Sequence, residues 1–324
     1  MKIVVLDGYT VNPGDNPWDE LSLCGELVVY DRSVPSEVLE RAHDADILVT
    51  NKTPLDRSLL EQLPRLKFIA MLATGYNVVD AEFARERNIP VANIPAYGTD
   101  TVAQFVMALV LEHCHSVGQH ARSVARGKWT TCQDWSYWKR PQIELRDLAL
   151  GIVGFGRIGQ RVAELGHAFG MNIFYSSRSP KQTTHLPVTY MSVEDLFDRA
   201  DIISLHCSLS PANVGMVNRT LLQRMKPTAY LINTARGQLI HEQDLADALQ
   251  AGTLAGAALD VLSSEPPPAD HPLLHAPNCL VTPHMAWASL SARQRILKGT
   301  VENVRAFLSG KPIHVVNPPS IAAR

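Results

Sequence analysis

The stretch DLALGIVGFGRIG, Asp147 to Gly159, is the reference point for the whole chain. Leu148 to Val153 reads as a short apolar strand. Gly154-Phe155-Gly156-Arg157-Ile158-Gly159 then turns it into a helix running to about Phe169. That is the strand–turn–helix setting in which a GxGxxG binds a dinucleotide. Gly154 permits the tight turn, Gly156 has no Cβ to hold a pyrophosphate off the backbone, and Gly159 lets the helix pack close to the strand. The free N–H groups at the helix start face the anion. A plain glycine turn is the alternative, and the flanking strand and helix argue against it.

The next strand, Met171 to Tyr175, ends where the adenosine ribose is usually read. An NAD site places Asp or Glu there, about 20 residues beyond the glycines. This chain has Ser176-Ser177-Arg178. Without a carboxylate there is no repulsion against a 2′-phosphate, and Arg178 can donate to it. The reading favours NADP(H). NAD held through the serine hydroxyls, with Arg178 a solvated loop residue, is the alternative.

The length of 324 residues suggests about two domains. Hydrophobic residues make up 46%, enough for two cores, and the net charge of −2 with scattered cations gives no sign of a nucleic-acid footprint. Cys24, Cys114, Cys132, Cys207 and Cys279 are far apart and odd in number, which points to a reduced, cytoplasmic setting without a zinc module. The apolar run Phe105 to Leu111 is far short of the ~20 residues of a membrane span. MKIVVLD at the start reads as a strand and not as a signal peptide.

Before the glycine motif, apolar runs at Ile3 to Asp7, Leu27 to Asp31, Ile47 to Asn51 and Leu66 to Leu72 alternate with helical segments such as Val34 to Ala45 and Pro54 to Leu63. This βαβα order predicts a parallel sheet covered on both faces, a complete small domain. The turn Ala73-Thr74-Gly75-Tyr76-Asn77 follows the last of these strands. It could aim N–H groups at a carboxylate, or it is a plain turn with Asn77 or Asp80 capping the next helix. Pro95 to Gly98 marks a hinge. A long helix from Thr101 to about His115 is apolar nearly all round and is expected to be buried between domains or subunits. His113 and His115 lie two apart and do not share a face, so no metal site is expected. Trp129, Trp135 and Trp138 lie in a polar segment that reads as an arm whose rings a partner subunit would bury.

After the motif the alternation returns, with strands at Asp201 to Cys207, Thr228 to Thr234, Leu254 to Val261 and Cys279 to Thr282. The fold class is therefore α/β, with two doubly wound parallel sheets. Three residues at strand ends stand out: Arg236 in NTARG, Glu265 in SSEPPP and His284 in TPH. A guanidinium can clamp a carboxylate and polarise a carbonyl. A histidine can give or take the proton that accompanies hydride transfer, and a glutamate can orient and charge-balance the imidazole. Singly, each could be an ordinary loop or core residue. Their shared position after a dinucleotide motif favours the chemical reading.

These motifs resemble those of the D-isomer-specific 2-hydroxyacid dehydrogenases over essentially the full length. The resemblance implies that Arg236, Glu265 and His284 are the catalytic set and that the backbone at Thr74 and Gly75 binds the substrate carboxylate. It places Thr101, Cys207, Thr234, Ala235 and Asp260 beside the cofactor, together with Gly154, Gly156, Arg157, Ile158 and Gly159. It further implies a flavodoxin-like substrate domain, 1–98 plus 289–324, into which a Rossmann cofactor domain, 99–288, is inserted, and a homodimer formed through the long helix and the arm. LDGYTVNPGD, AYGTDTVAQ, DWSYW and PHMAWAS are most similar to the glycerate dehydrogenase and hydroxypyruvate/glyoxylate reductase branch. Two departures stand out: Ser208 where proline is common, which loosens the loop on the adenine side, and the missing acidic ribose reader. Glutamate at the His284 partner position argues against a formate dehydrogenase. The expected substrates are small 2-oxo and 2-hydroxy acids, with bulkier ones as an alternative set by Tyr76, Trp138 and Trp287. The same fold also serves nicotinamide-binding corepressors. Those need an apolar groove and usually extensions, and only a short tail follows Val316.

Overall fold

The computed structural model describes residues 1–181 and 186–318. The chain divides into two compact units: Met1–Gly98 with the described residues from Trp287 onward, and Thr99–Ala286. In the first unit, β1 (Lys2–Val5), β2 (Glu26–Val29), β3 (Ile47–Thr50), β4 (Phe68–Met71) and β5 (Val91–Ala92) form one parallel sheet in the order β2-β1-β3-β4-β5. That is the flavodoxin-like order. Alternate side chains enter separate cores, as the two-residue period of a strand requires. Val4, Leu48 and Ile69 pack with Val38 and Leu60 of the helices Pro35–Ala42 and Arg57–Glu61. Ile3, Val5, Ile47 and Phe68 pack with Ile296, Val301 and Val304 of the last helix, Leu290–Leu308. Phe307 stacks on Phe68 at 4.5 Å between ring centroids. The final helix thus covers a sheet face that the first 98 residues cover only in part, with Val11 and Leu21, which is the physical reason the chain returns to this unit.

In the second unit, β6 (Ala149–Val153), β7 (Asn172–Ser176), β8 (Val188–Tyr190), β9 (Ile202–Leu205), β10 (Tyr230–Asn233), β11 (Gly256–Leu259) and β12 (Cys279–Val281) form a second parallel sheet. Its order is β12-β11-β10-β9-β6-β7-β8. The strand order reverses between β6 and β9, the Rossmann switch point. β5 and β8 are additions to the strands read from the sequence. They have two and three residues, too few to carry a period.

The long helix runs from Thr99 to His115 and packs on the helix Arg157–Ala168, with Arg161 donating to Asp100 at 2.9 Å. Within the chain, Val102, Ala103, Val106, Met107, Leu109 and Val110 of this helix are buried, Gln104 and Ala108 are exposed, and Phe105 and Leu111 are half covered. In the arm, Trp135 is 88% and Trp138 66% exposed within the chain. His113 stacks on Tyr230 at 3.8 Å between ring centroids, and burial lowers its pKa to about 4.

Candidate active site

Nearly all the candidate residues of the second unit lie at the carboxyl ends of its strands. Neighbouring strands lie about 4.8 Å apart, so the edge from β7 to β12 is about 24 Å long. Along it run Ser176, the last residue of β7, with Ser177 and Arg178 after it, the glycines after β6, Cys207 after β9, Thr234 to Arg236 after β10, Asp260 and Glu265 after β11, and His284 after β12. Thr101 stands apart, in the first turn of the helix Thr99–His115.

The three glycines have three different physical reasons. Gly154 has φ +95°, and a Cβ there would stand 2.3 Å from the Cys207 backbone nitrogen. The loops after β6 and β9 therefore touch at the switch point. A Cβ on Gly159 would stand 2.2 Å from the Gly154 carbonyl oxygen, so the helix packs directly against the turn. A Cβ on Gly156 would meet nothing within 4 Å among the described residues. Gly156 caps the helix Arg157–Ala168, whose first N–H groups, those of Arg157 and Ile158 included, have no intrahelical acceptor. Open space beside free donors at a helix start suits a pyrophosphate. A second observation agrees: Thr234 Oγ1, at the end of β10, is buried without a hydrogen-bond partner among the described residues. The residues present thus fit a dinucleotide. At the end of β7, Ser177 donates to the Ser179 carbonyl at 2.7 Å and the Ser176 carbonyl accepts from Gly154. The exposed Arg178 is in no ion pair among the described residues.

Asn233 organises the Arg236 loop. It is fully buried, accepts the Ala235 N–H at 3.0 Å and donates to the Arg236 carbonyl at 2.9 Å. The Arg236 guanidinium donates to the Ala235 carbonyl and forms no ion pair among the described residues, which leaves its charge available.

His284 Nδ1 lies 2.6 Å from Glu265 Oε2, with the two side chains 25% and 35% exposed. Glu265 Oε1 accepts the Leu262 N–H at 3.1 Å, so both carboxylate oxygens are oriented. A carboxylate only accepts, so Nδ1 carries the hydrogen and Nε2 is the nitrogen with a lone pair to offer. His284 has φ +51°, in the left-handed region few non-glycine residues adopt. Asp260 holds it there. Its buried carboxylate accepts from Thr282 Oγ1 at 2.7 Å, Met285 N at 2.9 Å and Ala286 N at 2.8 Å, bracketing His284 on both sides. Burial pushes the Asp260 carboxyl up, and those donors pull it back only in part.

Thr74 and Gly75 belong to the first unit, after β4. Thr74 Oγ1 donates to the Ile94 carbonyl at 2.7 Å, and Asn93 Nδ2 donates to the Thr74 carbonyl at 2.7 Å. Among the described residues their own N–H groups donate to nothing, which leaves two consecutive donors for an anion. Asp80, and not Asn77, caps the following helix Ala81–Glu86. The sequence reading missed Asn233, Gly237 and the bracing role of Asp260. The first two stood inside NTARG, where asparagine and glycine at a strand end were available as signals.

A family model described as D-isomer specific 2-hydroxyacid dehydrogenase, NAD binding domain, matches residues 107–286. The chain is 47% identical to a hydroxypyruvate reductase of Blautia hydrogenotrophica, over 98% of this chain and 100% of that one. It is 37% identical to a glycerate dehydrogenase of Methylorubrum extorquens, over 97% and 98% of the two chains. Among solved structures, the NADPH-dependent glyoxylate/hydroxypyruvate reductase of Sinorhizobium meliloti in complex with citrate superposes with a TM-score of 0.82. It has 28% identity and covers 99% of each chain.

Proposed function

Because the chain belongs to the D-isomer specific 2-hydroxyacid dehydrogenase family, we propose that it reduces small 2-oxo acids, hydroxypyruvate and glyoxylate first, to D-glycerate and glycolate, and catalyses the reverse oxidation. The observation that carries the reading is the 2.6 Å His284–Glu265 pair at the strand edge that also holds Arg236 and the glycine turn. Relatives named for hydroxypyruvate and glycerate support the substrate class.

When bound, the nicotinamide supplies or takes the hydride at the substrate's second carbon. Arg236 clamps the substrate carboxylate and polarises the carbonyl oxygen. The Thr74 and Gly75 N–H groups assist in holding that carboxylate. His284 Nε2 passes a proton to the carbonyl oxygen in reduction and accepts it in oxidation. Glu265 orients the ring and balances the charge it acquires. The cofactor is NADPH by preference, because Arg178 and two serines stand where a ribose-reading carboxylate would repel the phosphate. Gly154, Gly156, Arg157, Ile158 and Gly159 hold the pyrophosphate, with Thr101, Cys207, Thr234, Ala235 and Asp260 alongside. The protein works as a cytoplasmic homodimer that buries the exposed tryptophans of the arm.

The test is NADPH oxidation by the purified chain with hydroxypyruvate, with the product resolved by enantioselective chromatography. D-Glycerate supports the reading, and L-glycerate or no product contradicts it.

A further inference from the structure

Glu242 opens the helix Glu242–Gln250 and lies outside every motif singled out above. Its side chain is 14% exposed. Oε1 accepts the Ser263 N–H at 2.7 Å, and Oε2 accepts the Ser263 hydroxyl. Oε2 also faces His271 Nε2 at 3.2 Å. His271 is buried, and its Nδ1 accepts the Leu273 N–H at 3.3 Å. The imidazole hydrogen therefore sits on Nε2, directed at Glu242. One carboxylate thus takes three donors.

Ser263 lies two residues before Glu265, and the short turn between them is closed by the Leu262 N–H donating to Glu265 Oε1. The opposite side of Ser263 meets the Arg236 loop. Gln238 Nε2 donates to the Ser263 carbonyl at 3.1 Å, and a Cβ on Gly237 would stand 1.9 Å from the Leu262 carbonyl carbon. The loops carrying Arg236 and Glu265 are therefore pressed together, and Glu242 is the acceptor that fixes their common segment. We infer that Glu242 is a positioning residue for the reaction: it locks Ser263 so that Glu265 meets His284 and Arg236 keeps its place. The inference rests on the roles proposed above for those three residues. A carboxylate suits the task because it only accepts, whereas the amide nitrogen of a Glu242→Gln variant would confront a donor.

The experiment compares wild type, Glu242→Gln, Ser263→Ala and Glu265→Gln. For each, kcat with hydroxypyruvate, NADPH affinity, Tm and the ring-nitrogen NMR shifts of His284 in ¹⁵N-histidine-labelled protein are measured, with His284→Ala assigning the signal. Glu242→Gln is expected to lower kcat by about 10- to 100-fold, the scale of an ångström-sized misplacement. NADPH affinity is expected to hold, and the His284 shifts to move toward those of Glu265→Gln. Ser263→Ala, which keeps the backbone bond to Oε1, is expected to show a smaller change in the same direction and serves if Glu242→Gln does not fold. A purely structural role would lower Tm while leaving kcat and the His284 shifts of the folded protein unchanged, and that result overturns the inference. If wild type does not turn over hydroxypyruvate, the proposed function fails, and the His284 shifts alone still decide whether Glu242 positions the pair.

Discussion

His284 Nδ1 and Glu265 Oε2 lie 2.6 Å apart, brought together from the ends of two neighbouring strands. The contact leaves one nitrogen, Nε2, for proton exchange. His284→Ala should lower kcat by about 10²- to 10⁴-fold, the usual contribution of a general acid. Glu265→Gln should act in the same direction, because an amide can donate to Nδ1 and select the other tautomer. Steady-state kinetics in the folded variants check both, and an unchanged kcat in His284→Ala removes it from the mechanism.

Two glycine substitutions should separate folding from cofactor binding. Gly156→Ala adds a methyl group to open space, so Tm without ligand should hold. NADPH should then no longer raise Tm, whereas in wild type a ligand at 100 times its Kd stabilises by about 2.7 kcal/mol. Gly237→Ala drives a Cβ into the Leu262 backbone and should cost about 1–3 kcal/mol. Thermal scans with and without NADPH read out both.

Cofactor choice should turn on the end of β7. Arg178→Ala should weaken NADPH selectively, by a factor of about 10 to 100 if one charge-assisted hydrogen bond is lost. Ser176→Asp should favour NADH by repelling the 2′-phosphate. The ratio of kcat/KM for the two cofactors measures each effect.

Asp46 predicts a pH dependence of stability. Its buried carboxylate accepts the Lys2 N–H at 2.9 Å and the Lys67 ammonium at 2.9 Å, and these hold it below the usual carboxylate range. A lowered folded-state value means the stabilisation is complete above the unfolded value of about 3.9 and is lost as pH falls through the lower folded one. Asp46→Asn should therefore lower Tm at pH 7, and its deficit against wild type should shrink below about pH 4. A gap independent of pH would contradict this.

The glycine turn was legible because strand, turn and helix are contiguous and each glycine answers to a local constraint. The other main strands were legible because buried parallel strands are short apolar runs between polar turns. β5 and β8 were not, being too short to show a period. Neither was the backbone at His284: its positive φ is imposed by Asp260, from the end of another strand, and no local signal at TPH records it. Glu242 stayed hidden because an acidic residue in a helix's first turn already has an ordinary explanation in the helix dipole.

The most direct measurement of the central claim is kcat/KM for hydroxypyruvate, glyoxylate, pyruvate and phenylpyruvate, each with NADPH and with NADH. The account predicts the highest values for hydroxypyruvate or glyoxylate, with NADPH preferred. Turnover confined to phenylpyruvate would contradict the small-substrate reading. No turnover of any acid while NADPH still binds would contradict the catalytic role and favour a partner-binding, corepressor-like one.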